Sequence, residues 1–126
     1  MVTDLCALYS VTDRNLGLRK QFVGFDDRDL AALRSAAGWA AKEADGIARA
    51  FYDVQFSFAP TVTFFEAQAA RRGSSLGELR KALEAAQAGY FREIFEEAAS
   101  GRAFGPEYFA RRLHVGRVHN MINLPL

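Results

Sequence analysis

Residues 111–120 read Arg-Arg-Leu-His-Val-Gly-Arg-Val-His-Asn and contain both histidines of the chain, His114 and His119. The stretch follows Pro106-Glu107. Proline in the first turn of a helix costs no hydrogen bond, and an acidic residue there suits the helix dipole. We therefore predict a helix from Pro106 to about Asn120 that carries both imidazoles.

The two histidines cannot share one site, because five residues at roughly 100° each place them about 140° apart around the helix axis. His119 shares its side of the helix with Val115, Gly116 and Ile122, an apolar surface that a flat ligand can approach. It is therefore the better ligand candidate, whereas His114 lies among arginines. A lone histidine beside valine and isoleucine is also commonly a hydrogen-bonded core residue, and the spacing leaves both interpretations open.

Composition narrows the class of protein. Half of the 126 residues are apolar, enough for one domain with a hydrophobic core. The net charge of +1 shows no electrostatic footprint of a protein that binds nucleic acid or an anionic membrane. The single cysteine, Cys6, excludes an internal disulfide framework, and the start Met1-Val2-Thr3-Asp4 has neither the basic region nor the long apolar segment expected of a signal peptide. No run approaches the ~20 apolar residues needed to span a bilayer. We predict a cytoplasmic protein with small-molecule or protein partners.

Apolar residues recur at helical spacing only weakly at the start of the chain and more clearly after it. No segment has the pattern of a strand, so we predict an all-α fold. Residues 1–24 are expected to form one or two short helices. A better signal follows, in which Asp26 or Asp27 caps a helix that runs to about Ala37. Gly38 is expected to divide it from the next helix.

Residues 39–58 contain no proline and carry two apolar columns at helical spacing. We predict that the first column is buried; it consists of Ile47, Phe51, Val54 and Phe58. The second column contains Ala44, Ala48, Tyr52 and Phe56, so Tyr52 should point inward, where its hydroxyl needs a partner. On this helix alone, a core tyrosine bonded to a neighbouring carbonyl is the simpler interpretation.

Pro60 should end that helix, because the residue before a proline is pushed out of the α region, and a short aromatic connection with Phe64-Phe65 should follow. Ser74 or Ser75, with Glu78 three or four residues later, then predicts a capped helix.

This next helix has an apolar stripe that includes Leu79 and Leu83, while its charged residues, among them Arg80 and Glu84, are expected to face water. Ala82 beside the stripe leaves room for another helix or for a planar ring system. Helix packing is the commoner use of such a groove.

Three groups of residues resemble one known family. They are Phe51-Tyr52-Asp53, the segment from Leu79 to Phe91, and Arg-Leu-x-x-Gly-x-x-His-x-x-Ile-x-Leu-Pro at residues 112–125. With them the chain resembles the haem-binding domain of globin-coupled sensors, gas-sensing globins found ahead of chemotaxis-receptor, histidine-kinase and diguanylate-cyclase modules. The resemblance covers roughly residues 19–125. It implies a globin-like sensor domain at residues 25–126, preceded by an N-terminal extension at residues 1–24.

The resemblance also implies a cofactor, haem b, with His119 as the proximal ligand of the iron and Tyr52 as the distal residue that stabilises bound dioxygen or another diatomic gas. Further residues implied to surround the haem are Leu79, Ala82, Leu83, Phe56 and Val115. The carbonyl of Val115, one turn before His119, would accept the second ring N–H of the imidazole. Ala82 departs from members that have threonine there, which leaves Tyr52 as the distal donor.

Family domains continue past the Leu-Pro motif with two helices that close the pocket and form a dimer interface, so the resemblance implies a globin fold that is incomplete at its C-terminus. Completion by further helices or a homodimer is expected. The leading hypothesis is a non-enzymatic oxygen-sensor domain of a signal transducer. The alternative is a haem-free, globin-like interaction or dimerisation domain that docks through the uncovered apolar surface. An enzyme is the weakest option, since no nucleophile-base pair, phosphate loop or paired carboxylates stand out.

Overall fold

The computed structural model describes residues 2–101 and 104–124, and within these ranges the chain forms seven α-helices and no strand. The predicted all-α fold is confirmed. The helices are α1 (Leu5–Leu8), α2 (Asp13–Val23), α3 (Asp27–Ser35), α4 (Ala37–Phe56), α5 (Ala59–Arg72), α6 (Leu76–Ser100) and α7 (Pro106–Met121).

The helices belong to two compact units. The first unit comprises the chain up to Ser35 and from Glu96 onward, and the second is Ala36–Phe95. In the first unit, α1 packs against α7, and the buried side chains include Leu16, Phe104 and Tyr108. In the second unit, α4 packs against α5, and the core is built largely from alanines.

Side-chain caps fix two of the predicted helix starts. At α3, the Asp26 carboxylate accepts the Arg28 N–H at 2.8 Å, while the Asp26 N–H donates to Asp29 at 2.8 Å. At α6, the Ser75 hydroxyl accepts the Glu78 N–H at 3.1 Å, and the Glu78 carboxylate accepts the Ser75 N–H at 3.0 Å. Such reciprocal bonds satisfy backbone donors that have no partner inside the helix. Both starts were predicted, and the structure selects Asp26 and Ser75.

Two predicted boundaries are wrong. The break between α3 and α4 falls at Ala36, and Gly38 lies in the first turn of α4. Pro60 does not introduce a short aromatic connection but lies in the first turn of α5, a helix of 14 residues. Proline is compatible with that position because the N–H it lacks would have no partner within the helix. Phe65 and Ala69, one turn apart, then bury one side of α5.

The predicted burial of the first apolar column of α4 is also wrong. Its four members are 37 to 68% exposed: Ile47, Phe51, Val54 and Phe58. The neighbouring column is buried instead, because Ala44 and Ala48 form a close-packed cluster with Ala88 of α6. Periodicity identified both columns, but large apolar side chains on one of them do not decide which column faces the neighbouring helix.

None of the helices in residues 2–101 and 104–124 combines the length and the apolar character needed to cross a bilayer.

Candidate functional site

His119 lies in the last turn of α7, in the first unit, and its side chain is exposed. Val115, one turn earlier, is half-buried. Gly116 lies between them in sequence, and a Cβ atom added there would meet no atom within 4 Å. Gly116 therefore leaves open space on α7, within a cavity of about 640 Å³ whose lining also includes Leu5 and Tyr9.

The end of α7 is fixed by backbone hydrogen bonds that begin at His119. Asn123 adopts a left-handed conformation with φ of 52°. Its N–H donates to the carbonyl of Asn120 at 3.2 Å, and the N–H of Leu124 donates to the carbonyl of His119 at 3.1 Å. This pair of bonds is a Schellman motif, and asparagine is one of the few residues other than glycine that accept the required φ. The backbone of His119 is thus held at a defined helix end.

The start of α7 is anchored by a buried carboxylate. Glu97, at the end of α6, has a side chain that is 2% exposed and lies 3.3 Å from the guanidinium of Arg111. Tyr108 is buried beneath Arg112, whose guanidinium lies 5.0 Å from the ring centroid. Removing Arg111, whose side chain is 44% exposed, would leave the buried Glu97 carboxylate without this ion pair, which destabilises the folded state.

His114 has different surroundings from His119. Together with Cys6 and Arg117 it lines a cavity of about 230 Å³ beside α1. Arg117 also donates a hydrogen bond to the carbonyl of Thr3. The structure therefore places His114 on the side of α7 that receives the N-terminal segment.

Tyr52 belongs to the second unit and points inward, as predicted, with 8% of its surface exposed. Its ring makes edge contacts with Phe51, at a centroid distance of 5.1 Å, and with Phe56, at 6.1 Å. Burial raises the pKa of Tyr52, and the proximity of Tyr90 and of Glu84 raises it further. The phenol therefore stays protonated at neutral pH and remains a hydrogen-bond donor.

Among the other residues expected around a haem in this unit, Phe56 is half-buried at the end of α4, and the rest lie on α6 at different depths. Leu79 is buried, Leu83 is half-buried and Ala82 is exposed. A Cβ added at Gly89, two turns beyond Ala82, would meet no atom within 4 Å. The structure thus places His119 and Val115 in the first unit and the remaining candidates in the second.

Arg80 is a neighbour of this group that the sequence did not reveal. Its side chain is 29% exposed rather than directed into water, and its Nε donates to Glu84 at 2.8 Å. It also binds Asp53 of α4 and lies over the ring of Phe56, 5.1 Å from the centroid. The prediction that Arg80 and Glu84 face water is wrong. The only signal in the sequence was their spacing of four residues, which permits an ion pair within one helix.

In the part of the chain that the structure describes, no group of three or more His, Cys, Asp or Glu side chains comes together as a metal site. A haem iron receives four nitrogen ligands from the porphyrin and can be held by one protein imidazole.

Comparison with known proteins identifies a family. The family model described as Protoglobin matches residues 12–126. Comparison with curated proteins and with solved structures gave no match.

The raised pKa of Tyr52 predicts how stability depends on pH. The unfolded chain loses this proton near pH 10, whereas the folded chain holds it to higher pH. The stabilisation is therefore complete below about pH 10 and is lost as the pH rises through the folded-state pKa. We expect the free energy of unfolding of the haem-free Tyr52→Phe variant to fall less steeply as the pH rises above about 10 than that of the unmodified chain, measured by urea unfolding. The exposed Tyr9 provides the control, Tyr9→Phe, and equal slopes for the two variants would contradict the prediction.

Proposed function

The chain belongs to the protoglobin family, and from this premise we propose that it is an oxygen-sensing haem domain in which His119 binds the iron and Tyr52 stabilises the bound gas. Protoglobins are globins that bind haem and, through it, a diatomic gas. The observation that carries the finer proposal is Tyr52 itself, a protonated phenol buried among aromatic rings at a position where phenylalanine would serve equally well for packing alone.

The surroundings of His119 fit an axial ligand. The imidazole is exposed, and the adjoining surface at Gly116 has open space where a side chain would obstruct a flat macrocycle. Haem b, when bound, supplies the iron centre that receives the gas. The protein must supply a neutral imidazole held in one orientation, and we assign the carbonyl of Val115 as the acceptor of its second N–H.

The role of Tyr52 follows from the polarity of the gas. If haem is bound, it would supply an iron at which dioxygen carries more partial negative charge than carbon monoxide, and the buried O–H of Tyr52 would then favour dioxygen. Ala82 contributes no polar group, which leaves the phenol as the donor of this proposal. Leu79, Leu83 and Phe56 would supply the apolar surroundings in which such a bond is strengthened.

We also assign the domain boundaries, the output of the signal and the cellular location. We assign residues 25–126 to the sensor domain and residues 1–24 to its N-terminal extension. The signal would pass to a separate output module, such as a diguanylate cyclase or a histidine kinase, in the cytoplasm. We also propose that the chain forms a homodimer.

The two histidines provide a matched pair of variants. Replacing His119 by alanine removes the proposed iron ligand, so we expect the Soret band of ferrous haem mixed with His119→Ala to resemble that of free haem. His114→Ala removes an exposed imidazole from the same helix and should leave the Soret band of the bound haem nearly unchanged. A haem spectrum that survives His119→Ala and is lost in His114→Ala would reverse the assignment.

Tyr52→Phe tests the distal role. A hydrogen bond to a charged group is worth roughly 1.5–3 kcal/mol, and about 1.4 kcal/mol corresponds to one decade. We therefore expect oxygen dissociation to become faster by on the order of ten- to a hundredfold, while carbon monoxide affinity changes much less. Flash photolysis with both gases separates a lost hydrogen bond from general damage to the fold. Equal changes for the two gases would mean that Tyr52 only packs the core.

A second candidate function is supported by an exposed apolar face, which we define as Ile47, Phe51 and Val54 of α4 together with Phe58, which follows that helix. Monomeric proteins rarely expose large contiguous apolar patches without a partner. The face therefore favours a globin-like interaction or dimerisation domain, with or without haem.

Charged substitutions on this face test the second function. Sedimentation of the haem-free chain should show a mass that rises with concentration, and Val54→Glu combined with Phe58→Glu should abolish that rise by placing carboxylates in the contact. Arg49→Glu adds negative charge at another exposed position of α4 and serves as the control. A monomer at all concentrations before any substitution would contradict self-association.

A further inference from the structure

Arg80 joins two helices of the second unit at the level of Tyr52. It projects from α6, binds the carboxylate of Asp53 on α4, and donates from Nε to Glu84 on its own helix at 2.8 Å. Its side chain is 29% exposed, and that of Glu84 is 20% exposed. The Arg80–Glu84 pair is thus partly shielded from water, whereas Asp53 is 71% exposed, so solvent screens the Arg80–Asp53 pair more strongly.

The same guanidinium reaches the aromatic group that contains Tyr52. It lies over the ring of Phe56 at 5.1 Å from the centroid, and Phe56 contacts the ring of Tyr52 at 6.1 Å. Phe56 is held on another side by stacking on Phe65, with a centroid distance of 5.5 Å and an interplanar angle of 10°. Of the residues on α4 that Arg80 contacts, Asp53 is adjacent to Tyr52 in sequence and Phe56 lies one helical turn beyond it.

These contacts limit where the phenol can go. A tyrosine side chain has staggered alternatives at its first torsion, and a neighbour one turn away on a helix closes some of them. A Phe56 ring clamped between Arg80 and Phe65 therefore acts as a fixed wall for Tyr52. Arg80 also neutralises Glu84, whose negative charge is close enough to affect Tyr52. Without the guanidinium, that carboxylate would be free to compete for the single O–H of the phenol.

We propose that Arg80 is a positioning residue that holds the Tyr52 hydroxyl in the orientation needed to donate to a bound gas, acting through Phe56, Asp53 and Glu84. The inference rests on the proposed distal role of Tyr52. With Arg80 included, the proposed site contains one hydrogen-bond donor, Tyr52, and an ion-paired residue that holds this donor in place. This residue would determine how strongly the domain discriminates dioxygen from carbon monoxide. A support of this kind matters because a donor displaced by a fraction of an ångström loses much of its directional hydrogen bond.

The chain contains a matched control for this ion pair. Arg92, also on α6, pairs with Asp45 of α4 at 3.0 Å and donates to the carbonyl of Ala41 at 3.3 Å. Its side chain is 30% exposed, almost the same fraction as that of Arg80. Arg92→Ala therefore removes a comparable tie between the same two helices, but one that lies away from Tyr52 along α4.

The experiment compares four variants: Arg80→Ala, Arg92→Ala, Tyr52→Phe, and Tyr52→Phe combined with Arg80→Ala. In the haem-loaded protein, we expect Arg80→Ala to speed oxygen dissociation about three- to tenfold relative to carbon monoxide, and Arg92→Ala to change this ratio less than about twofold. In the Tyr52→Phe background, Arg80→Ala should have no further effect on the ratio. Melting temperatures report the general destabilisation that both arginine variants share.

A second readout needs no haem. In haem-free protein labelled with ¹³C-tyrosine, the resonance of Tyr52 is assigned by its disappearance in Tyr52→Phe. It should shift or broaden in Arg80→Ala and stay in place in Arg92→Ala. An unmoved resonance, a ratio changed equally by both arginine variants, or an Arg80→Ala effect that persists without Tyr52 would each overturn the positioning role.

The proposed function and this inference fail in different ways. If Tyr52→Phe leaves the gas ratio unchanged, the distal assignment is wrong and the inference falls with it. If Tyr52→Phe changes the ratio and Arg80→Ala does not, the distal assignment stands and the positioning role of Arg80 alone is overturned.

Discussion

The contact of two alanines of α4 with one alanine of α6 determines which face of α4 is buried. Ala44 and Ala48 meet Ala88 of α6 with almost no exposed surface, and side chains of this size allow two helix backbones to come near each other. Because these alanines face α6, Tyr52 on the same side of α4 is carried inward. The large apolar side chains of the adjacent column, such as Val54, are left facing outward.

Local features of the fold could be predicted because they depend on residues a few positions apart. The Asp26 and Ser75 caps involve a side chain and a backbone N–H within three residues, and the start of α7 depends on Pro106. Which face of α4 is buried could not be read in the same way. It depends on α6, more than thirty residues along the chain, and alanine carries too weak a hydrophobic signal to outweigh Phe51 in a sequence pattern.

In the candidate site too, features that depend on residues near in sequence could be predicted, and features that depend on distant residues could not. The inward direction of Tyr52 follows from its helical column, and the different surroundings of the two histidines follow from their spacing. The roles assigned to Tyr52 and His119 came from the family resemblance, which the Protoglobin match confirms at the level of the family. Arg80 could not be recognised, because its partner Asp53 lies 27 residues earlier and a long charged side chain on a helix usually extends into solvent.

The hydrogen bond from the Leu124 N–H to the carbonyl of His119 makes the Leu124 amide a probe of how often the last turn of α7 opens. A backbone amide exchanges its proton for deuterium only while its hydrogen bond is open, so the exchange rate of this one amide measures how often the last turn unwinds. Any process that pulls on the His119 backbone, including ligation of its side chain, would change that opening frequency. Hydrogen exchange at the Leu124 amide can therefore report on the end of α7 from a backbone atom that is separate from the His119 imidazole.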